Sequence, residues 1–428
     1  MTDYLPWNRL PKVKARQYEH LIEYNLSTSA PKPFLVYGNG RSYSDVCLNG
    51  NGTLFLARGL DNFCQFDAKN GILRAQARVL LSEILDLIVP QGWFLPETPG
   101  TSFVTLAGAV ANDVHGKGHH KVGSFGNSVR SLLLVRSNGE RLNCSPTENE
   151  ALFCATIGGL GLTGFIAEVE IQLQKISNPF VICENHEFAS LEEYWQLNER
   201  LKPEWPYSVS WIDCISKNTR GVFMVGRHAP ANTEGKRYKP LPLTVPFQMP
   251  FSLVNGLSIR LVNAFYYRMN RGKGSFVSHY KPFFYPLDSI TEWNRIYGAK
   301  GFYQYQCVIP PSEEREGIKA VFAEIRRAGQ GSFLGVLKTF GDIPSLGLLS
   351  FPRPGTTLAL DFPNRNKKTL DLFTRLDHIV REAGGALYPA KDARMPREMF
   401  QFSFPRLDEF VKHIDPGFSS HFIERMKK

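Results

Sequence analysis

The chain has 428 residues, of which 43% are hydrophobic and 21% are charged. These values are typical of a globular protein and exclude a disordered chain, and at roughly 150 residues per domain the length indicates two or three domains. The formal net charge of +10 favours anionic partners such as phosphorylated ligands or membrane surfaces. Because Lys and Arg form no basic stripe with interleaved aromatic residues, we expect no nucleic-acid binding.

The cysteines and the apolar segments indicate the cellular compartment of the protein. Seven cysteines, at positions 47, 64, 144, 154, 183, 214 and 307, form no CxxC pair, which favours reduced thiols in a cytoplasmic protein. We find no signal peptide and no apolar run of the roughly 20 residues that a membrane span requires. Residues 240–271 mix large apolar side chains with Pro and Arg. Two interpretations stay open for them, an interfacial segment at a lipid surface and a connection packed on its own domain.

The N-terminal part alternates short β-like runs with Gly-rich turns. The runs predict strands at residues 34–37, 53–56, 72–75, 132–136 and 165–173. Apolar side chains with helical spacing predict one helix over residues 80–90. Several strands with few helices indicate an α+β fold rather than a doubly wound one.

The second half of the chain also mixes strands with helices. Strands are predicted at residues 209–215, 221–225, 302–309, 332–340 and 357–362, and helices at residues 312–328 and 368–383. This pattern predicts an antiparallel sheet covered on one face by helices.

Four Gly-rich turns within about 130 residues carry the chemical signal. They lie at residues 37–45, 96–120, 124–129 and 156–165, and closely spaced glycines allow backbone amides to approach a diphosphate. The first turn is not a Rossmann fingerprint because Tyr43 replaces the third glycine, and the second is not a Walker loop because Ala111 and Gly118 break the pattern. His115 and His119 have no cysteine or familiar ligand pattern nearby, so we expect no metal site. Together the turns predict an extended ligand that carries phosphates.

The order of the motifs resembles the FAD domain of the vanillyl-alcohol oxidase superfamily. The matching segments are GNGRSY (38–43), PGT (99–101), TLAGAVANDVHGKGHH (105–120), GSFGNSV (123–129) and GGLGLTGF (158–165). Within the superfamily the chain is similar to oxidases of polyprenylphosphoryl pentoses, through SWIDCIS (210–216), EWNRIYG (292–298), GFYQYQCVIP (301–310), SFLGVLKTFG (332–341), LDFP (360–363) and LYPAKDAR (387–394). The resemblance implies a two-subdomain FAD-binding domain (1–177), a substrate-binding domain (178–385) and a C-terminal segment (386–428) that returns to the FAD domain.

The resemblance also implies which residues bind FAD. They are Tyr37, Gly38, Asn39, Gly40, Arg41, Ser42, Tyr43, Ser44, Asp45, Gly100, Thr105, Leu106, Ala107, Gly108, Asn112, Asp113, Val114, His115, Ile166 and Tyr388. Many superfamily members attach FAD covalently through a histidine in the first loop. Arg41 stands at that place here, and because a guanidinium does not form this linkage, we expect non-covalent FAD.

The implied reaction is the oxidation of a sugar hydroxyl to a ketone. The resemblance gives Lys391, His115 and Tyr43 as catalytic residues. Lys391 and His115 are alternative general bases, and we favour charge stabilisation or substrate orientation for Lys391. The implied substrate residues are Gln304, Gln306, Lys338, Asp361, Trp211 and Tyr297. Ala359 stands where related enzymes carry a cysteine beside the pocket, which argues against thiol-directed inhibition but not against oxidation.

The implied substrate is a polyprenylphosphoryl ribose, oxidised at the 2'-hydroxyl as the first half of an epimerisation toward arabinose. A separate NAD(P)H-dependent ketoreductase would complete it, and the basic charge and residues 240–271 fit a cytoplasmic enzyme in peripheral contact with the inner face of the membrane. One alternative is an alditol or aldonolactone oxidase that acts on a soluble sugar. Another is a basic, non-catalytic binding protein that retains a degenerate FAD fold, against which the intact Gly-rich loops argue.

Overall fold

The computed structural model describes residues 4–21, 23–26, 29–236, 238–239 and 243–427. The strands of its first part, in chain order, are β1 (Gln17–His20), β2 (Phe34–Tyr37), β3 (Thr53–Leu56), β4 (Phe63–Asp67), β5 (Ile72–Gln76), β6 (Trp93–Phe94), β7 (Val129–Val135), β8 (Arg141–Cys144), β9 (Phe165–Gln172) and β10 (Gln174–Lys175). A parallel sheet has the order β1-β3-β2, an antiparallel sheet has the order β4-β5-β9-β7-β8, and β6 pairs with β10. The five strands predicted here are confirmed.

The second part is built on one eight-stranded antiparallel sheet. Its strands and the short neighbouring ones are β11 (Phe180–Phe188), β12 (Tyr207–Ile212), β13 (Gly221–His228), β14 (Leu243–Thr244), β15 (Phe276–His279), β16 (Ile290–Thr291), β17 (Phe302–Ile309), β18 (Gly335–Phe340), β19 (Gly355–Pro363) and β20 (Ala386–Leu387). The sheet has the order β15-β11-β13-β12-β18-β19-β17-β20, and β14 pairs with β16 outside it. All five strands predicted for this part belong to the sheet.

Twelve α-helices lie in the described part of the chain. They are α1 (Leu81–Ile88), α2 (Leu106–Ala111), α3 (His119–Val122), α4 (Glu150–Thr156), α5 (Leu191–Leu201), α6 (Gly256–Asn270), α7 (Tyr280–Phe284), α8 (Glu314–Arg327), α9 (Lys367–Glu382), α10 (Arg397–Ser403), α11 (Leu407–Val411) and α12 (His421–Lys427). The three predicted helices correspond to α1, α8 and α9. None of the described helices combines the length and the apolarity that are needed to cross a membrane.

The register of the large sheet separates a core face from a site face. Directly opposed residues of an antiparallel pair point to the same side, and Gln304 opposes Asp361 while Gln306 opposes Ala359. The alternate residues, among them Tyr305 and Leu360, are fully buried in the main hydrophobic core. Helices α5, α8 and α9 pack on β13, β17 and β19. The α+β class and the helix-covered antiparallel sheet are thereby confirmed.

The C-terminal segment connects the two parts. Strand β20 pairs with β17, so the large sheet extends two residues past the predicted boundary at 385. Farther on, Asp415 forms an ion pair with Arg136 at 3.0 Å, and Phe418 forms a β-bridge with Phe34. The division into domains itself stays a prediction.

The apolar stretch at 240–271 contains a helix that the sequence analysis did not predict. Residues 240–242 of this stretch lie outside the described residues. Helix α6 begins after Asn255, whose side chain accepts hydrogen bonds from the amides of Leu257 and Ser258. Ile259 and Asn263 face the protein, and Asn263 donates a hydrogen bond to Asp213 at 2.7 Å. The helix is therefore anchored by one face.

Candidate active site

A single cavity of about 1000 Å³ joins the Gly-rich loops to the site face of the large sheet. Fifteen of the predicted cofactor-binding residues line it: Gly38, Asn39, Gly40, Arg41, Ser42, Tyr43, Gly100, Thr105, Ala107, Gly108, Asn112, Val114, His115, Ile166 and Tyr388. Of the other predicted site residues, Trp211, Gln304, Gln306, Lys338 and Lys391 line it as well. Residues that are distant in sequence thus meet in one space.

Seven predicted site residues do not line this cavity: Tyr37, Ser44, Asp45, Leu106, Asp113, Tyr297 and Asp361. Asp45 is buried and forms ion pairs with His421 and Arg425 of α12. Asp113 accepts hydrogen bonds from Ser124, Ser350 and the Gly126 amide, so it holds loops together. These carboxylates are not available to a ligand because protein donors already occupy them.

The aromatic and aliphatic members of this group have packing roles. Tyr297 stacks on Phe302 with 4.2 Å between the ring centroids, and the Tyr37 hydroxyl donates to the carbonyl of Leu5 at 2.7 Å. Leu106 is fully buried in the core of the N-terminal part. Each supports the wall of the cavity from behind rather than forming its surface.

The first Gly-rich loop lies close against the start of α2. A Cβ atom on Gly38 or on Gly108 would lie 2.7 Å from the Thr105 Oγ1 atom, closer than side-chain carbons approach. Thr105 caps α2 by accepting a hydrogen bond from the Gly108 amide. Gly40 has φ 58°, a conformation that favours glycine. These glycines therefore bring bare backbone to the cavity wall.

Aromatic rings hold the Arg41 side chain. Its guanidinium carbon lies 4.3 Å from the ring centroid of Trp7 and 5.9 Å from that of Phe103. One of its nitrogens donates to the Asn39 carbonyl at 3.1 Å. Burial lowers the pKa of Arg41, and the nearby carboxylate of Glu292 counters that effect. Trp7, Phe103 and Glu292 also line the cavity, and the sequence analysis did not select them, although Glu292 begins the EWNRIYG motif.

Lys391 stands over Tyr43 at the sheet side of the cavity. The Nζ atom lies 3.8 Å from the centroid of the Tyr43 ring, and the Tyr43 amide donates to the Ala390 carbonyl. Burial lowers the pKa of Lys391 and raises the pKa of Asp361, and each charge partly offsets the effect on the other. Asp361 accepts a hydrogen bond from Gln304 at 2.5 Å. Asp361 thus acts on the cavity through Lys391 and Gln304.

His115 is enclosed between aromatic rings and Gln306. Its Nε2 atom lies 2.9 Å from the amide nitrogen of Gln306, and the rings of Phe340 and Tyr388 pack on it at about 5 Å. Its Nδ1 atom is buried and has no hydrogen-bond partner among the described residues. Burial, together with the positive charge of Lys338, lowers the pKa of His115 well below its usual value, so the imidazole is neutral at pH 7.

Comparison with known proteins connects this geometry to a family. A family model described as an FAD binding domain matches residues 13–145. The decaprenylphosphoryl-β-D-ribose oxidase of Mycolicibacterium smegmatis is 35% identical over 91% of this chain and 88% of its own length. This chain belongs to the family of that oxidase. An uncharacterised protein of Streptomyces coelicolor is 27% identical over 81% of this chain and its whole length, and the L-gulonolactone oxidase of Scyliorhinus torazame is 29% identical over 34% of this chain and 33% of its own.

Membership of the decaprenylphosphoryl-β-D-ribose oxidase family makes this protein an FAD-dependent oxidoreductase. The residues at the cavity fit that cofactor. Backbone at Gly38 and Gly108 is uncovered by side chains, and the Oδ1 atom of Asn112 and the Nδ1 atom of His115 are buried without partners among the described residues. Such groups require a polar ligand, since an unpaired buried polar atom costs about 1–3 kcal/mol.

The structure adds Glu97 and Lys117, which the sequence analysis did not select. Glu97 is 1% exposed, and Lys117 lines the cavity. Lys338 donates to the carbonyl of Gly116 at 2.6 Å. Gly116 and Gly118 could have indicated Glu97, because side chains at these two positions would collide with the Glu97 carboxylate.

Proposed function

We propose that this FAD-dependent oxidoreductase oxidises the 2'-hydroxyl of a ribose that is joined through phosphate to a polyprenyl carrier. The observation that carries the proposal is the continuity of the cavity from His115, Gln306 and Lys391 to apolar side chains such as Val262 and Phe276. A sugar requires the polar end and a polyprenyl chain requires the apolar end. The relative from Mycolicibacterium smegmatis, whose name specifies a decaprenylphosphoryl-ribose, supports the same substrate class.

In this proposal His115 accepts the proton of the 2'-hydroxyl. When bound, FAD would supply the acceptor for the hydride, which carries both electrons from C2'. The imidazole is neutral, and one ring nitrogen interacts with Gln306 while Nδ1 has no partner among the described residues. In the reactive tautomer the Gln306 amide is turned so that its oxygen accepts from Nε2–H, and Nδ1 is the free acceptor. Gln306 then fixes the reactive tautomer.

Lys391 stabilises developing negative charge beside Tyr43. A charged ammonium in a water-poor site interacts far more strongly with an anion than it would in water. Asp361 keeps Lys391 protonated, because its carboxylate raises the pKa that burial has lowered. Gln304 and Trp211 complete the wall that orients the sugar.

The alternative, an alditol or aldonolactone oxidase, has less support from the cavity. A small soluble sugar would not contact the apolar part of the cavity near α6. The similarity to L-gulonolactone oxidase covers only 34% of this chain. No feature of the described residues favours this alternative over a lipid-linked substrate.

The proposal includes partners and a location. A ketone at C2' becomes the epimeric alcohol only when a reductant attacks the opposite face, so a separate NAD(P)H-dependent ketoreductase completes the conversion toward arabinose. The enzyme works in the cytoplasm at the inner face of the membrane, where the lipid-linked substrate resides. Exposed apolar side chains of α6 at the cavity mouth support peripheral contact with that surface.

Product analysis tests the proposal. Purified holoenzyme is incubated with farnesylphosphoryl-ribose and an electron-accepting dye, and the product is then reduced with borodeuteride. We expect a mixture of ribose and arabinose with deuterium only at C2'. Deuterium at another carbon, or turnover of ribitol and aldonolactones instead of the lipid-linked sugar, would overturn it.

A further inference from the structure

The segment His115-Gly-Lys-Gly-His119 wraps around the carboxylate of Glu97. A Cβ atom on Gly116 would lie 2.6 Å from Oε1 of Glu97, and one on Gly118 would lie 2.8 Å from Oε2. Only glycine leaves room for the carboxylate at both places. The two glycines thus fit the turn closely against Glu97 and, at Gly116, against the Thr98 carbonyl, and Lys117 lies between them in the same turn.

Glu97 is a buried carboxyl group without a conventional hydrogen-bond partner. Both carboxylate oxygens are enclosed and form no hydrogen bond of normal geometry with the described residues. Burial raises the pKa of Glu97, while Lys338, the backbone of Gly116 and Thr98, and Lys117 act in the opposite direction. An isolated buried carboxylate is costly, so its charged form depends on the two lysines.

Each of the two lysines has N–H donors that no described residue accepts. An ammonium has three donors, and within the described residues Lys338 uses one on the Gly116 carbonyl at 2.6 Å while Lys117 uses one on the Phe284 carbonyl at 3.1 Å. Both side chains line the cavity. The donors that remain on the two lysines can bind an anionic group such as a phosphodiester.

These lysines also lie between the two ends of the cavity. Lys117 follows His115 by two residues, and its Nζ atom lies 5.6 Å from the ring centroid of Phe283. Phe283 and Phe276 also line the cavity. Lys117 therefore adjoins both His115 of the polar site and the apolar ring of Phe283. In a polyprenylphosphoryl pentose the phosphate likewise lies between the sugar and the lipid.

We propose that Lys117 and Lys338, held in position by Glu97, form the subsite that binds the phosphate of the substrate. The identity of the substrate rests on the proposed function, whereas the preference for a lipid anion rests on the geometry alone. The other cations that line the cavity have contacts of their own, because Arg41 packs on Trp7, Lys391 stands over Tyr43, and Lys273 donates to Asn270. Glu97 is a positioning residue and does not touch the ligand.

The test uses a lipid anion that cannot be oxidised at a sugar. Methyl farnesyl phosphate and uncharged farnesol are titrated into the holoenzyme by calorimetry. We expect the wild-type protein to prefer the phosphodiester, and Lys117→Met and Lys338→Met each to weaken its binding by about tenfold or more, the value of one charge-assisted hydrogen bond. Binding of farnesol should not change. Lys319→Met, on the surface of α8, is the control for loss of a positive charge.

Glu97→Gln separates positioning from a general structural role. Removal of the carboxylate lowers the pKa of both lysines, so the pH at which methyl farnesyl phosphate binding is lost should fall by about one unit. Retained flavin absorption and an unchanged melting temperature identify variants that are folded. Equal binding of the phosphodiester and farnesol by wild-type protein, or an unaltered preference in both folded lysine variants, would overturn the subsite. Neither result depends on turnover, so failure of the proposed reaction is recognised separately.

Discussion

The charge of Lys391 depends on Asp361, a residue that does not reach the cavity. Removing this carboxylate in Asp361→Asn lowers the pKa of Lys391 further, because burial is then unopposed. If the charged lysine supports the reaction, activity is present below that pKa and lost above it. We therefore expect the basic limb of the kcat/KM profile to move to lower pH by about one unit, with FAD still bound. Asp371→Asn, on the exposed side of α9, should leave the profile unchanged.

Arg41 decides how the cofactor is attached. Because its guanidinium packs on Trp7 where related proteins carry a linking histidine, we predict that FAD is held without a covalent bond. Acid precipitation of the purified protein should leave all flavin in the supernatant. Flavin that stays with the precipitate would show that another residue forms a covalent link.

Helix α6 exposes an apolar face, whereas its opposite face is covered by the protein. Ile259 is buried, whereas Leu257, Leu261 and Phe265 are 63–70% exposed and repeat every four residues. Among the described residues, eleven of the seventeen exposed large hydrophobic side chains fall within residues 243–277. Such a concentration marks an interaction surface, and it surrounds the cavity mouth.

We predict that this face binds lipid bilayers. Replacement of Leu257, Leu261 and Phe265 by Ser should reduce sedimentation with vesicles of phosphatidylcholine and phosphatidylglycerol by about tenfold or more, because each side chain loses about 1.5–3 kcal/mol of burial. The matched control carries Ser at three exposed apolar positions elsewhere, namely Leu370, Phe402 and Val411. If both triple variants sediment like the wild-type protein, α6 has no role in membrane contact.

The elements that periodicity could predict are those with one buried face. Strands β17 and β19 and helices α8 and α9 follow the predicted positions closely because alternation and helical spacing report burial directly. Helix α6 escaped prediction because its exposed face is as apolar as its buried face, so no amphipathic pattern marks it. The role of Asp45 was also hidden, since its partners in α12 lie about 380 residues away.

At the scale of the whole molecule, several histidines are buried in neutral form. His228 packs against Phe94 and Tyr207, and burial lowers its pKa to about 4. The unfolded chain binds a proton near pH 6.5, so this group contributes stability above that pH and the contribution is lost as the pH falls toward 4.

His228→Phe should therefore reduce the loss of stability in acid. Between pH 8 and pH 5 the wild-type protein should lose about 2 kcal/mol more free energy of unfolding than the variant, measured by urea unfolding. His378→Phe, at an exposed position on α9, should show no such gain. An equal acid sensitivity of His228→Phe and the wild-type protein would contradict the assignment of a neutral buried imidazole.

Site residues that belong to a family motif could be predicted from the sequence. Site residues that matter because they compensate the charge of a distant group could not. The glycines of the first loop, His115, Gln306 and Lys391 were all identified from the sequence and meet in one cavity. Glu97 could not be identified, because its importance lies in its contact with the turn at Gly116 and Gly118, about 20 residues farther along the chain. Long-range pairings of this kind become visible only in the folded structure.

The central claim is that a lipid-linked pentose reduces the flavin of this enzyme. Holoenzyme is mixed without oxygen with farnesylphosphoryl-ribose, and its visible flavin absorption is followed. The account predicts that the absorption bleaches fully with one equivalent of ketone formed per flavin, and that free ribitol and aldonolactones leave it unchanged. Bleaching by the soluble sugars alone, or no bleaching by the lipid-linked ribose, would contradict it.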